Sequence, residues 1–278
     1  MGWIERTHLG RRILVAVFGI PLIFGAAILG GWYFFVLIGL LIVFALAEFY
    51  MLAEKLDYSP SRWTGIPAVL VLHLFLFLNY RINLGITVAA FLMVIVLSEL
   101  FRNKPHPVAN IAVTFYGTFY IFLLSFFVLL REVPRTSRLA YGDGAWLIIL
   151  IFSAIWLCDS TAYIAGSCIG KHALFPRVSP KKTWEGAVSG FLMAVVSAVI
   201  TGSFIHSFLP FHDALILGVL IGVFAQLSDL VESLFKRDAG IKDTSHMLPG
   251  HGGFFDRFDS FILVGPVVYI YLHIRGYF

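Results

Sequence analysis

Apolar runs about as long as a bilayer is thick recur along nearly the whole chain, and that repetition leaves few folds open. At ~20 residues per helical crossing, the runs near 12 to 29, 31 to 53, 83 to 101, 110 to 130, 145 to 165, 185 to 209, 213 to 234 and 258 to 276 can each span. A shorter run near 63 to 79, with Pro67 early in it, brings the expectation to about nine transmembrane helices. Backbone polar groups in hydrocarbon must be paired within their own segment, so the fold class expected is an all-α polytopic membrane protein. Composition agrees, because 59% hydrophobic residues, 13% charged residues and a mean hydropathy of +0.89 exclude an ordinary soluble domain of 278 residues.

The cations give a direction to these helices. With a cytoplasmic N-terminus, all 20 lysines and arginines except Arg81, Arg131, Arg135, Arg138 and Arg275 fall on the cytoplasmic side. The same orientation gathers Glu48, Glu99, Asp159, Asp229, Glu232, Asp256 and Asp259 at the cytoplasmic ends of their spans, although acids play no part in choosing it. One inward-facing polar cavity accounts for that coincidence, while Glu48 and Glu99 taken alone read more simply as acids reaching the interface. The first apolar run follows basic residues, but Pro21 interrupts it and a second span comes directly after, so it reads as a retained helix. The short tails and small size point to a bacterial inner membrane. No basic stripe interleaved with aromatics occurs outside the loops, so nucleic acid is not an expected partner. Cys158 and Cys168, in or beside an apolar run, read as packing residues.

Against this apolar background the stretch from Ser233 to Asp259 stands out, with Lys236, Arg237, Lys242 and Arg257, the acids Asp238, Asp243, Asp256 and Asp259, and Gly250, Gly252 and Gly253. Charges clustered among membrane spans mark a working site by default. Asp229 and Glu232 are three apart on the eighth expected span, and Ser233 and Lys236 each lie four beyond one of them, so the four share a helical face. Asp256 and Asp259 repeat the spacing at the start of the ninth. Up to four carboxylates can thus converge on one cleft, a hard-oxygen set suited to Mg²⁺ bridging to substrate phosphates; a buried salt-bridge cluster, for example Glu232 with Lys236, is the structural alternative. The glycines can bring backbone N–H groups to phosphate oxygens, and His251 between them can donate to a phosphate or cap a turn.

A second polar insert runs from Gly166 to Gly186 on the same side. Lys181 and Lys182 precede a helix that Thr183 or Ser179 can cap, with Glu185 in its first turn. This reads equally as a second phosphate clamp and as a positive-inside anchor. Gly170 and Lys171 do not complete a P-loop, since Ala165 replaces its first glycine and His172 its final hydroxyl residue. His73, His206, His212 and His273 are scattered and read as packing or interface residues.

The unbroken spacing of Ser233, Lys236, Arg237, Lys242, Asp243, His251, Gly252, Gly253, Asp256, Arg257 and Asp259 resembles the signature of the phosphatidate cytidylyltransferases, also called CDP-diacylglycerol synthases. The runs SPKKTWEG and CDSTAYIAG, the latter from Cys158 to Gly166, are also similar to that family, so the likeness covers roughly the C-terminal half. The resemblance implies transfer of CMP from CTP to phosphatidate, giving CDP-diacylglycerol and pyrophosphate for phospholipid biosynthesis, with Mg²⁺ required and room for a second cation. It implies Asp229, Asp256 and Asp259 as metal ligands, and these three with Lys236 as the catalytic set. Lys236, Arg237, Lys242 and Arg257 become phosphate contacts and Ser233 a polar contact, joined as candidate substrate-binding residues by Ser179, Lys181, Lys182, Glu185, Asp243, His251, Gly252 and Gly253. The expected organisation is N-terminal helices over 1–144, lipid-facing with a possible homodimer contact, and a catalytic region over 145–278 with cytoplasmic loops 166–186 and 235–257, in one integrated membrane domain.

A secondary transporter would also combine many spans, buried acids and interrupted helices, but here the charges gather at one end and no inverted repeat is apparent. A CTP-dependent lipid kinase or an archaeal-lipid cytidylyltransferase could use a similar cleft. The orientation predicts that a topology reporter inserted at residue 245 reports from the cytoplasm; a signal from the opposite compartment would remove access to cytosolic CTP and with it the whole reading.

Overall fold

Two helix breaks, one of them at a proline, and one short hairpin separate the observed architecture from nine uninterrupted rods. The computed structural model describes residues 17–78, 84–133, 139–204, 209–242, 244–245 and 252–278. In chain order the helices are α1 (Val17–Leu29), α2 (Gly31–Glu54), α3 (Arg62–Phe77), α4 (Leu84–Leu100), α5 (Pro107–Phe122) and α6 (Phe126–Arg131). After them come α7 (Tyr141–Ile169), the strands β1 (Ala173–Phe175) and β2 (Ser179–Thr183), α8 (Trp184–Ser203), α9 (Phe211–Asp238), α10 (Phe255–Ile262) and α11 (Val264–Ile274). Among the described residues six helical units are long and apolar enough to cross a membrane: α2, Pro107–Arg131, α7, α8, α9 and Phe255–Ile274. The other three expected crossings correspond to the shorter apolar helices α1, α3 and α4. The protein is an all-α, multi-pass membrane protein.

The fifth expected span is interrupted by a 3₁₀ turn at Leu123–Ser125, and the ninth is divided at Leu263. Pro266 explains the second break, because it has no N–H to offer the carbonyl of Ile262 one turn earlier. Ser228 on α9 supports the junction: its hydroxyl donates to the Asp259 carbonyl and accepts from the Leu263 N–H at 3.4 Å. The insert from Gly166 to Gly186 is not wholly irregular. α7 continues to Ile169, an antiparallel hairpin follows, and Thr183 caps α8 by accepting from the Gly186 N–H at 3.2 Å.

A single apolar core runs from Ile23 on α1 through Ile42 and Leu46 on α2, Ile151 on α7 and Leu217 on α9 to Leu272 on α11. Leu100, Phe101, Val108 and Ile274 point outward, as lipid solvation allows. Buried polar groups pin the helices where hydrocarbon cannot. Arg131 is fully buried and donates to the carbonyls of Ala27 and Ile28, closing the open end of α1; this removes it from the loop charges that ran against the orientation rule. Glu99 pairs with Arg102 at 2.6 Å and accepts from Asn110 at 2.7 Å. It is buried, as is Glu48, so neither acid reaches the interface as the sequence suggested; each has hydrogen-bond donors waiting inside the fold. At the start of α9, buried Asp213 accepts from the hydroxyls of Tyr271 and Tyr277 and from Arg275, fastening α9 to the C-terminal helix.

The most extensive helix pairing among the described residues is α7 against α8. A Cβ on Gly190 would lie 2.7 Å from the Cys158 carbonyl oxygen, and one on Gly186 would lie 2.6 Å from that of Ala162. Small residues let the two backbones touch, which is how helices associate where solvent exclusion offers no drive. Gly190→Leu is expected to separate the pair and cost about 1–3 kcal/mol, seen as a lowered unfolding temperature of the purified protein in detergent.

Candidate active site

The 28 residues of α9 span about 42 Å at 1.5 Å per residue, longer than a hydrocarbon core of ~30 Å. Its last turns can therefore carry charge at the membrane boundary while its middle stays apolar. Those turns present Asp229, Glu232, Ser233 and Lys236 at helical spacing toward α10, whose first turns supply Asp256 and Asp259. Ligand oxygens of Asp229, Glu232 and Asp259 all lie within 4.8 Å of one another. Three carboxylates so close repel unless cations stand among them.

Two lysines take that position. Lys236 Nζ lies 2.5 Å from Glu232 Oε2 and 2.9 Å from Asp256 Oδ1, bridging α9 to α10. Lys182, at the end of the hairpin, lies 2.5 Å from Asp229 Oδ2. The salt-bridge pairing of Glu232 with Lys236 and the convergence of acids, which were alternatives on sequence, are thus both present. Glu232 Oε1 is buried with no hydrogen-bond partner among the described residues. A cation bound by oxygen donors would meet a vacant acceptor there.

Asp256 is held differently from its neighbours. Its Oδ2 accepts from the Gly253 N–H at 2.8 Å, the Thr244 N–H at 3.0 Å and the Thr244 hydroxyl at 2.8 Å. Gly252 has φ +80°, and a Cβ there would come within 2.8 Å of Asp256 Oδ2, so the two glycines wrap the Asp256 carboxylate. Asp259 is buried; its Oδ1 accepts from the Ser260 N–H at 2.6 Å. Aromatic rings lie beneath the charges, with Phe49 5.9 Å from Phe255 and 6.0 Å from Phe235.

Asp229 also lines a cavity of about 490 Å³ between α7, the hairpin, α8 and α9, with Asp159, Lys181, Lys182 and Gln226 on its walls. Lys181 and Lys182 thus face the same space as a member of the carboxylate cluster. Glu185 turns elsewhere. It accepts from His172 Nδ1 at 2.6 Å and from the N–H groups of Lys171 at 3.1 Å and His172 at 3.3 Å, closing the base of the hairpin. Arg237 reaches the Val178 carbonyl at 3.1 Å and ties the hairpin to α9. Ser233 Oγ lies 3.5 Å from Asp229 Oδ1. Lys242 and Arg257 are exposed and Ser179 is half-buried at the start of β2. Asp243 and His251 lie outside the described residues.

Sequence reasoning gathered Asp159 with the acids of one inward-facing polar cavity without giving it a site role, and it passed over Gln226. Asp159 Oδ2 is 3.3 Å from the Ser260 hydroxyl, and Gln226 donates to the carbonyls of Gly222 and Ala187 at 2.8 and 3.1 Å. Each is a polar residue inside an apolar run, and Gln226 stands three before Asp229 on one face; that was the available signal.

The sequence matches the Cytidylyltransferase family over residues 10–275. This chain belongs to that family. A phosphatidate cytidylyltransferase of Synechocystis sp. is 34% identical over 94% of this chain and 96% of its own length. Phosphatidate cytidylyltransferase 4, chloroplastic, of Arabidopsis thaliana is 28% identical over 96% of this chain and 74% of its own. The Staphylococcus haemolyticus phosphatidate cytidylyltransferase is 43% identical over 47% of this chain and 50% of its own.

Removing the Lys236 ammonium would leave Glu232 and Asp256 facing each other uncompensated. Lys236→Met is expected to destabilise the protein by about 3–5 kcal/mol, measured by thermal unfolding in detergent, with Glu232→Gln in the same background recovering part of the loss.

Proposed function

We infer that this chain transfers CMP from CTP to phosphatidate, forming CDP-diacylglycerol and releasing pyrophosphate, and that it does so where α9, α10 and the hairpin meet. The reading is carried by one juxtaposition: three clustered carboxylates share Asp229 with a cavity whose wall holds two lysines. A nucleotide triphosphate and a phosphate monoester are both polyanions, and a site that joins them needs positive charge and a way to hold them in line.

The donor set fits Mg²⁺, being all carboxylate oxygen and including a buried oxygen without a donor. Asp229 and Asp259 would hold the ion with Glu232 as the third ligand, while Asp256 remains joined to the cluster through Lys236. When bound, Mg²⁺ neutralises phosphate charge that the lysines alone do not cover. A second cation has room in the cavity beside Asp159.

The chain's own residues do the remaining work. Lys182 and Lys236, already resting on carboxylates, would exchange those partners for phosphate oxygens. Lys181 lines the same cavity from the hairpin, and Arg237, Lys242 and Arg257 would add positive charge from the end of α9, the segment after it and α10. The phosphatidate monoester is anionic near neutral pH, so its oxygen attacks the α-phosphorus of CTP without a strong general base. The new P–O bond forms as the bond to the β-phosphate breaks, and pyrophosphate leaves with the electron pair. The cationic bias of the loops supports a site facing the cytosol, where CTP is found, with phosphatidate entering from the inner leaflet.

Purified protein in detergent, given phosphatidate, labelled CTP and Mg²⁺, is expected to release pyrophosphate and a cytidine-bearing lipid in equal amounts. Asp259→Asn should slow the rate by about 100-fold or more at saturating Mg²⁺. Transfer of the terminal phosphate alone, with release of CDP, would replace this reading with a lipid kinase; an Asp259→Asn enzyme of near-normal rate would remove the metal assignment.

A further inference from the structure

Glu48 belongs to α2, far from the charged segment in sequence, yet it is fully buried against the start of α10. Its Oε2 accepts from the Phe255 N–H at 2.7 Å and its Oε1 from the Ser245 hydroxyl at 2.6 Å. Thr244 stands between two acids, its hydroxyl 2.8 Å from Asp256 Oδ2 and 3.5 Å from Glu48 Oε2. A Cβ on Gly253 would fall 2.2 Å from Glu48 Oε2, so glycine there makes space for the carboxylate. One turn earlier on α2, Phe44 stacks on Phe254 with centroids 4.8 Å apart.

The first N–H groups of a helix have no partner within it, and an anion at that end is favoured. In α10 this role falls to a side chain from another helix. The direction of α10 at residues 253–255 decides where Asp256 and Asp259 point, one and four residues beyond Phe255. We propose that Glu48 is a positioning residue: by anchoring the N-terminus of α10 from α2, it sets the carboxylate geometry, and hence the metal requirement, of the site between α9 and α10. The inference rests on the metal-dependent CMP transfer proposed above. It gives the N-terminal helices a part in the reaction beyond filling the bilayer.

The test compares E48A and E48Q with E99A, which removes a buried acid that fastens α4 to α5 away from the site. Three quantities are read in detergent: the Mg²⁺ concentration giving half the maximal rate, kcat, and amide exchange over residues 252–258. E48A is expected to raise the Mg²⁺ requirement about tenfold or more, lower kcat and speed exchange at Phe255. E48Q keeps one carbonyl acceptor and should restore much of the amide protection and part of the rate. E99A should lower thermal stability and leave the Mg²⁺ requirement unchanged. The proposal is overturned if folded E48A or E48Q shows wild-type Mg²⁺ dependence and wild-type exchange, or if E99A shifts the Mg²⁺ requirement as much as E48A. If E48A does not accumulate, E48Q against E99A decides by the same readouts. A wild-type protein that transfers no CMP would strike the functional reading instead, and amide exchange would still decide whether Glu48 holds α10.

Discussion

Carboxylates crowded at the edge of a hydrocarbon medium have to be compensated, and the arrangement of α9, α10 and the hairpin follows from that need. Lys236 touches an acid on its own helix and another on α10, so one ammonium holds two helices together. Lys182 does the same between the hairpin and Asp229. A cluster of this kind is costly as pure architecture, since well-packed apolar side chains often serve stability as well or better. Its retention makes sense where charge has to be exchanged with a ligand. On the reading proposed above, the lysines would be occupants that phosphate displaces, and the carboxylates would already be gathered for a cation.

The same economy of buried polarity organises the rest of the molecule. Arg131 closes α1, Asp213 joins α9 to the C-terminal helix, Glu99 joins α4 to α5, and Glu48 joins α2 to α10. None of these contacts is close in sequence except the Glu99 pair. In lipid, where apolar surfaces gain little by meeting each other, such hydrogen bonds and the glycine seam between α7 and α8 define which helices are neighbours.

Much of this was legible beforehand. Run length and hydropathy disclosed the helices because the bilayer imposes a minimum span, and helical spacing placed Asp229, Glu232 and Lys236 on one face. Tertiary partners were not legible. Glu48 and Glu99 looked like interfacial acids because nothing local names the amide of Phe255 or the side chain of Asn110 as their partners. Glu185 is the first-turn anion of α8 that the spacing suggested, but its hold on the backbone of Lys171 and His172 was not legible, because that contact depends on the chain folding back as a hairpin. The break at Leu263 could have been anticipated from Pro266, but its support by Ser228 required knowing that α9 runs alongside.

Asp213 and Asp229 occupy the same helix, the first locked to the C-terminal tyrosines and the second among the lysines. The sixteen residue steps from one to the other fix a rise of about 24 Å, so α9 acts as a ruler measured from its far anchor. Shortening it by one turn would keep the acidic face aligned but draw Asp229 about 5.4 Å toward that anchor and away from Lys182. The reach of this one rod thus fixes how far its acidic end stands from the C-terminal anchor.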